Sequence, residues 1–319
     1  MIFKKQNKTL ALIIGLLVLL LSACVPLEAT TGSMDEAAET VTVTHPQGET
    51  TVIKNPQTVV VFNYSALDTL DALGIPVTGV IQGPIMPPHL EQYNGEEYAS
   101  VGGMREPDYE AINALSPDLI VVGLRTAGLY EEMSKIAPTL DITVDWANKW
   151  ETFSDYMINI GIIFDKEAEV AERLSALETR IIEIKAQAES SDLQGLVVLT
   201  SGGEVSGYGP GSRFGMIHDM LGVAPTKDSM AAETHGDAIS FEFILEQNPG
   251  VLYVLDRDAA IGQEGDQSAE QMMDNELVAE TTAGANENIV YLDPVAWYLA
   301  DHGLSTFEIM VNEVAEGIE

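Results

Sequence analysis

Three arginines stand where an anion could be gripped. Arg125 follows the apolar run Leu119–Val122, Arg257 follows Val251–Leu255, and Arg213 is carried by the glycine-rich loop Gly207-Tyr208-Gly209-Pro210-Gly211-Ser212-Arg213-Phe214-Gly215. Ligands of open α/β sheets bind outside the carboxyl ends of the strands, so residues in these loops would face one site. A guanidinium group keeps its charge and donates in a fixed fork, which suits a multiply charged, planar oxyanion. The chain has only six arginines; Arg173 and Arg180 fall in a long helical stretch and Arg105 lies ahead of a repeated segment. His235, in the polar loop Glu233–Asp237, and Tyr298, in Trp297-Tyr298-Leu299-Ala300, occupy comparable loops. Imidazole and phenolate both bind iron(III), the phenolate because a charged oxygen suits a hard cation. Taken singly, each arginine also reads as a surface ion pair, and His235 or Tyr298 as a hydrogen-bonding loop residue. The coincidence of three strand-end arginines favours a site.

The elements that carry these residues form a repeat. Glu110-Ala111-Ile112 is followed by Pro117 and Asp118-Leu119-Ile120-Val121-Val122; Glu242-Phe243-Ile244 is followed by Pro249 and Gly250-Val251-Leu252-Tyr253-Val254. Glutamate, isoleucine and proline keep the same offsets. Each copy reads as a short helix, a proline stop and a buried strand, at equivalent places in two similar lobes. Val41–Thr44 and Thr50–Ile53 alternate around His45-Pro46-Gln47-Gly48 as a hairpin would. Val59–Phe62, Ala66–Leu73 and Val77–Ile81 make a βαβ unit. Beyond a break at Phe164-Asp165, Val170, Leu174, Leu177, Ile181 and Ile184 put an apolar stripe on a helix over Lys166–Ala188. At 1.5 Å per residue it would reach about 35 Å, enough to cross between lobes. Leu196–Thr200, Val251–Leu255 and Ile289–Leu292 are the strands of the second lobe, and a final helix begins at Ser305. The predicted fold is α/β: two Rossmann-like lobes with parallel-sheet cores joined by one long α-helix.

Lys4, Lys5 and Lys8 precede an apolar run from Leu10 to Leu21 that ends at Leu21-Ser22-Ala23-Cys24. The run is short for a membrane-spanning helix and has the charge pattern of an export signal. Residues 1–23 are therefore read as a signal peptide, 24–40 as a lipidated cysteine and flexible tether, 41–165 as the N-terminal lobe, 166–190 as the interlobe helix and 191–319 as the C-terminal lobe. Cys24 is the only cysteine, so no intramolecular disulfide can form. With 15 basic against 50 acidic side chains the formal charge is −35, and removal of the three N-terminal lysines makes it more negative. Such a charge repels nucleic acid and anionic membrane surfaces. The sequence has neither a His-Glu-x-x-His element nor a Gly-x-Ser-x-Gly elbow, so a hydrolase is disfavoured and the reading is not an enzyme.

Leu21–Cys24 resembles the lipobox of bacterial lipoproteins. Gly209–Gly215, Ser240-Phe241-Glu242, Val254–Asp258, Tyr291–Pro294 and Trp297–Leu299 resemble motifs of the catecholate siderophore-binding lipoproteins of bacterial ABC iron importers, petrobactin- and enterobactin-type binders included. The likeness covers essentially the whole chain beyond Cys24. It implies a class III substrate-binding protein with its ligand in the interlobe cleft and no permanently bound cofactor. It further implies that Arg125, Arg213 and Arg257 contact a triply negative ferric catecholate. His235 and Tyr298 would complete the iron sphere of a tetradentate siderophore. Glu110 and Glu242 would dock on an ABC permease dimer, and Cys24 would carry the lipid that holds a monomer on the outer face of the cell membrane. A haem or cobalamin receptor of the same fold is the alternative. The segment Ala300-Asp301-His302-Gly303 departs from the small residues usual there, and Thr126 from the amide that often follows the arginine at 125.

Overall fold

The computed structural model describes residues 38–226, 230, 235–263 and 267–318. The expected signal peptide, Cys24 and most of the tether lie outside the described residues. Among the described residues no helix is long and apolar enough to cross a membrane. Strands β1 (Thr40–His45) and β2 (Gly48–Ile53) pair antiparallel from Thr40 opposite Ile53 to His45 opposite Gly48. Their alternation buries Val43 and Val52 on one face.

Strands β3 (Val59–Val61), β4 (Gly79–Val80), β5 (Ala99–Ser100), β6 (Leu119–Val122) and β7 (Thr139–Asp141) form a parallel sheet in the order β5-β4-β3-β6-β7. The central strands β3 and β6 are apolar and buried throughout, as expected when both faces of a sheet are covered. The strand order reverses between β3 and β6. The loops leaving them, at Phe62-Asn63 and Gly123-Leu124-Arg125, therefore open onto the crevice of a doubly wound sheet.

The second sheet contains β8 (Gln194–Ser201), β9 (Glu204–Tyr208), β10 (Ala224–Pro225), β11 (Asp237–Ile239), β12 (Val251–Asp256) and β13 (Ile289–Leu292). Its order is β11-β9-β8-β12-β13, with β10 also on β8. The parallel core β8-β12-β13 is as the sequence predicts, and β9 and β11 add an antiparallel edge. Gly202 and Gly203 turn β8 into β9 with φ of 59° and 80°, a hairpin backbone that other residues adopt at a cost.

The sequence repeat is a structural repeat. The helices Tyr109–Leu115 and Phe241–Gln247 are each seven residues long, and each is N-capped three residues before a helical amide: Asp108 accepts from Ala111 at 2.9 Å and Ser240 from Phe243 at 3.3 Å. Both helices end on a left-handed residue, Ser116 at φ 50° and Asn248 at φ 45°, before the proline. Ile112 and Ile244 are buried in equivalent positions, while Glu110 and Glu242 are exposed in the first turns.

The helix Glu167–Ser190 has 24 residues, and its stripe of Val170, Leu177, Ile181, Ile184 and Ala188 is buried. It is tied to the C-terminal helix Leu304–Glu316 by Arg173, which donates to Glu308 at 2.7 and 2.9 Å, and by Arg180, which donates to Asn312 at 3.2 Å.

A second junction joins the lobes. Gly303 offers no side chain to cap the helix Leu304–Glu316, so its free amides are met by the first lobe. From the helix Tyr64–Ala72, Asp68 Oδ2 accepts from the Ser305 amide at 2.8 Å and Thr69 Oγ1 from the Leu304 amide at 3.1 Å. Phe153, on the helix Lys149–Ile163, stacks on Phe307 with centroids 4.1 Å apart. His89 closes the outer side, with Nε2 2.8 Å from Asp68 Oδ1.

Candidate functional site

A cleft of about 680 Å³ lies between the lobes. Arg125 and Trp146 line it from the first lobe, and Tyr208, Arg213, Arg257 and Tyr298 from the second. Each arginine is placed by a differently built loop. Arg125 follows Leu124, whose φ of 50° is unusual for a branched residue, and the turn is fastened by Thr126, which donates to the Phe62 carbonyl at 2.8 Å. Thr126 is buried, so its departure from an amide serves the loop's anchorage. Arg213 is held by a pinned glycine loop: the Gly211 amide donates to Asp219 Oδ2 at 2.6 Å, and Ser212 donates to the Gly209 carbonyl at 2.6 Å. A Cβ on Gly215 would lie 2.7 Å from the same Asp219 oxygen. Arg257 opens the short helix Arg257–Ala260 immediately after β12 and donates from Nη1 to Ser201 Oγ at 2.9 Å.

All three guanidinium groups converge on Tyr298. Arg125 Nη2 and Arg213 Nη2 both donate to its carbonyl oxygen, at 2.9 and 2.6 Å. Arg257 Nε donates to its hydroxyl oxygen at 2.9 Å. The guanidinium carbons lie 5.0, 4.4 and 5.7 Å from the ring centroid for Arg125, Arg213 and Arg257, within cation–π range. Tyr298 sits in a π-helical turn, Val295–Leu299, a distortion often found at functional sites. Burial alone would raise the Tyr298 phenol. The Arg257 hydrogen bond and the charges of Arg257, Arg213 and Arg125 outweigh it and lower its pKa.

His235 lines the same cleft. Gly236 beside it has φ of 68°, and a Cβ there would lie 2.7 Å from the Gly207 carbonyl oxygen, so only glycine lets the chain pack on β9 at that point. The structure thus brings Arg125, Arg213, Arg257, His235 and Tyr298 to one cleft. Glu110 and Glu242 do not line it and are exposed on their own helices. Cys24 lies outside the described residues.

Sequence reasoning did not place Arg105, Trp146 or Lys149 at the site. Arg105 and Trp146 line the cleft, the arginine from a loop closed by the bridge between Gly102 and Pro107. Lys149 is buried behind it, and burial lowers its pKa to about 8. Asp301 and His302 are also buried, with Asp301 Oδ2 3.8 Å from Arg213 Nε. Burial opposes ionisation of Asp301, yet its bond to His302 and the charges of Lys149, His302 and Arg213 hold the carboxyl well below the usual range. The unusual segment Asp301-His302 was the one signal in the sequence for this cluster. Lys149 gave none, because its burial depends on a helix more than 150 residues further on.

Comparison with known proteins agrees with this architecture. Residues 59–296 match the family model described as periplasmic binding protein. The chain is 39% identical over 302 residues to the petrobactin-binding protein YclQ of Bacillus subtilis, covering 94% of this chain and 95% of the relative. It is 30% identical over 304 residues to the ferric-anguibactin-binding protein FatB of Vibrio anguillarum, covering 94% of each. The crystal structure of the periplasmic catecholate-siderophore binding protein VctP from Vibrio cholerae superposes with a TM-score of 0.82 at 37% identity, covering 86% of this chain and 99% of that one. With two α/β lobes, a helical connector and the ligand-sized cleft between them, the chain belongs to the periplasmic binding protein family.

Proposed function

We propose that the protein is the extracellular substrate-binding component of an ABC importer, capturing a ferric catecholate siderophore in the interlobe cleft and delivering it to a permease. The observation that carries this reading is the convergence of Arg125, Arg213 and Arg257 on Tyr298. A ferric tris-catecholate bears three negative charges on planar rings, and three guanidinium groups around an aromatic ring match both its charge and its shape. In a chain of formal charge −35 such a concentration of cations is a local exception. That relatives are named for petrobactin and ferric anguibactin supports the same cargo class.

For a ligand that leaves two iron positions open, His235 and Tyr298 are our candidates to fill them. The lowered Tyr298 phenol favours the phenolate that iron(III) prefers. On this reading 41–165 and 191–319 are the lobes, 166–190 the connector, and Cys24 the lipid-bearing residue that keeps a monomer near its permease. Glu110 and Glu242 are the docking residues; their joint reversal to lysine is expected to leave ligand binding intact and stop uptake in cells, and uptake at the parent rate would rule the role out.

Tryptophan fluorescence titration of the full chain tests the cargo, since Trp146 lines the cleft. Ferric petrobactin, ferric enterobactin, a ferric bis-catecholate, a ferric hydroxamate and haem form the panel. Saturable quenching by catecholates is expected. Saturation by haem or hydroxamate alone overturns the assignment.

A further inference from the structure

Behind Tyr298 lies a charge cluster that does not line the cleft. Asp301 is 1% exposed, His302 0% and Lys149 3%. Asp301 Oδ2 lies 3.8 Å from Arg213 Nε, and Asp301 Oδ1 lies 2.9 Å from His302 Nδ1. The same ring nitrogen is 3.2 Å from Ser65 Oγ on the first-lobe helix Tyr64–Ala72, and the His302 carbonyl accepts from the Tyr156 hydroxyl. Hydrogen bonds thus run from Asp301 through His302 to Ser65 at the interlobe seam. Asp301 faces a cleft guanidinium at ion-pair distance, with Arg213 Nε and Asp301 Oδ2 both buried and without a hydrogen-bond partner among the described residues.

Arg213 is the most buried of the three cleft arginines, at 8% exposure, and sits among two other guanidinium groups. Without a counter-charge, mutual repulsion and desolvation would drive its side chain toward solvent. The two anchors present divide its fork. The Tyr298 carbonyl takes one Nη2 hydrogen and Asp301 faces Nε, which leaves Nη1 and the second Nη2 hydrogen for a ligand.

We propose that Asp301 is a positioning residue for ligand capture: fixed to the interlobe seam through His302 and Ser65, its carboxylate holds the Arg213 guanidinium in the orientation that meets the anionic cargo. The inference rests on the cleft being the siderophore site. Its benefit is preorganisation, because a guanidinium already held in place loses less freedom when the ligand arrives.

The test is a double-mutant cycle on the full chain with a ferric tris-catecholate as probe, using Asp301→Asn, Arg213→Met and both together. Asp301→Asn is expected to weaken binding by about tenfold or more in the parent and by less than about twofold beside Arg213→Met. An equal loss in both backgrounds marks a merely structural role and overturns the proposal, as does unchanged or tighter binding. If Asp301→Asn melts before it can be titrated, His302→Leu replaces it in the same cycle, with the same expectation and the same overturning results. His302→Asn, which keeps a donor toward Asp301, should retain parental affinity; loss there contradicts the proposal. Should the parent bind no catecholate, the cargo reading fails, and nitrogen-15 NMR of the arginine Nε groups still decides the positioning role. The Arg213 signal should shift and broaden in Asp301→Asn while that of Arg257 stays put; an unaltered Arg213 signal overturns it.

Discussion

Arg125 and Arg213, carried by opposite lobes, donate to one and the same atom, the carbonyl oxygen of Tyr298, at 2.9 and 2.6 Å. That oxygen lies at the end of the helical turn Val295–Leu299, where carbonyls have no intrahelical partner. Two like charges are thereby held side by side across the cleft while most of their donors stay uncommitted. Tyr298 is the hub on which the cleft is assembled.

Truncation of the arginines should be costly in proportion to their burial. Arg213→Ala and Arg257→Ala are each expected to lose about 1.5–3 kcal/mol of ligand binding, roughly ten- to hundredfold in affinity. Arg125 is exposed, so Arg125→Ala should cost less and the contribution lost should be the more salt-sensitive one. Titrations of the three variants at low and high salt check the order; a larger loss for Arg125 than for Arg213 contradicts it.

Tyr298→Phe separates charge recognition from iron ligation, because it keeps the carbonyl and removes the phenol. With a ferric bis-catecholate the variant should lose the tyrosinate ring modes that resonance Raman excitation of the iron complex enhances, which differ from those of the catecholate rings. With a ferric tris-catecholate its affinity should change by less than about threefold, since no iron position is open. Tyrosinate modes that survive the substitution rule out Tyr298 as a ligand to iron.

Much of this was legible in the sequence. The repeat of glutamate, isoleucine and proline located both capped helices and both central strands, because capping and left-handed helix ends are local chemistry. Strand-end position then placed Arg125, Arg213 and Arg257 at one crevice. The seam was not legible. Asp68 reads as one more acid on an amphipathic helix, and its partner amides at Ser305 and Thr306 have no side-chain signature. Lys149, at the first turn of a helix, reads as solvent-exposed, yet it is buried, with its Nζ 5.9 Å from the ring centroid of Phe307 on the C-terminal helix.

The seam itself should carry stability. Asp68→Ala frees two amides at the start of the C-terminal helix and removes the partner of His89, and should cost about 1–3 kcal/mol. Gly303→Ala attacks the same contact by crowding, since its Cβ would lie 2.7 Å from Asp68 Cγ. Denaturant unfolding measures both, and a parental midpoint for either variant contradicts this account of the junction.

His89 makes the junction pH-dependent. The hydrogen bond to Asp68 is the leading cause that raises the His89 pKa, against the opposing effect of burial. A raised folded-state value means that the contribution is fully present below the ordinary value of about 6.5 and is lost as pH rises through the folded value. The side chain is 40% exposed, so solvent screening keeps the effect below about 1 kcal/mol. Thermal melts of the parent and His89→Gln from about pH 5.5 to about pH 9 should show a parental advantage that shrinks with rising pH. An advantage that grows with pH has the wrong sign for this pair.

The central claim is that the cleft selects its cargo by negative charge. Calorimetric titration of the full chain with ferric complexes of similar size but different charge tests it most directly. One triply negative ferric tris-catecholate per chain should bind at least about a hundredfold more tightly than a neutral ferric trihydroxamate, with the margin narrowing as salt is added. Equal affinity for the neutral complex, unaffected by salt, would contradict the account.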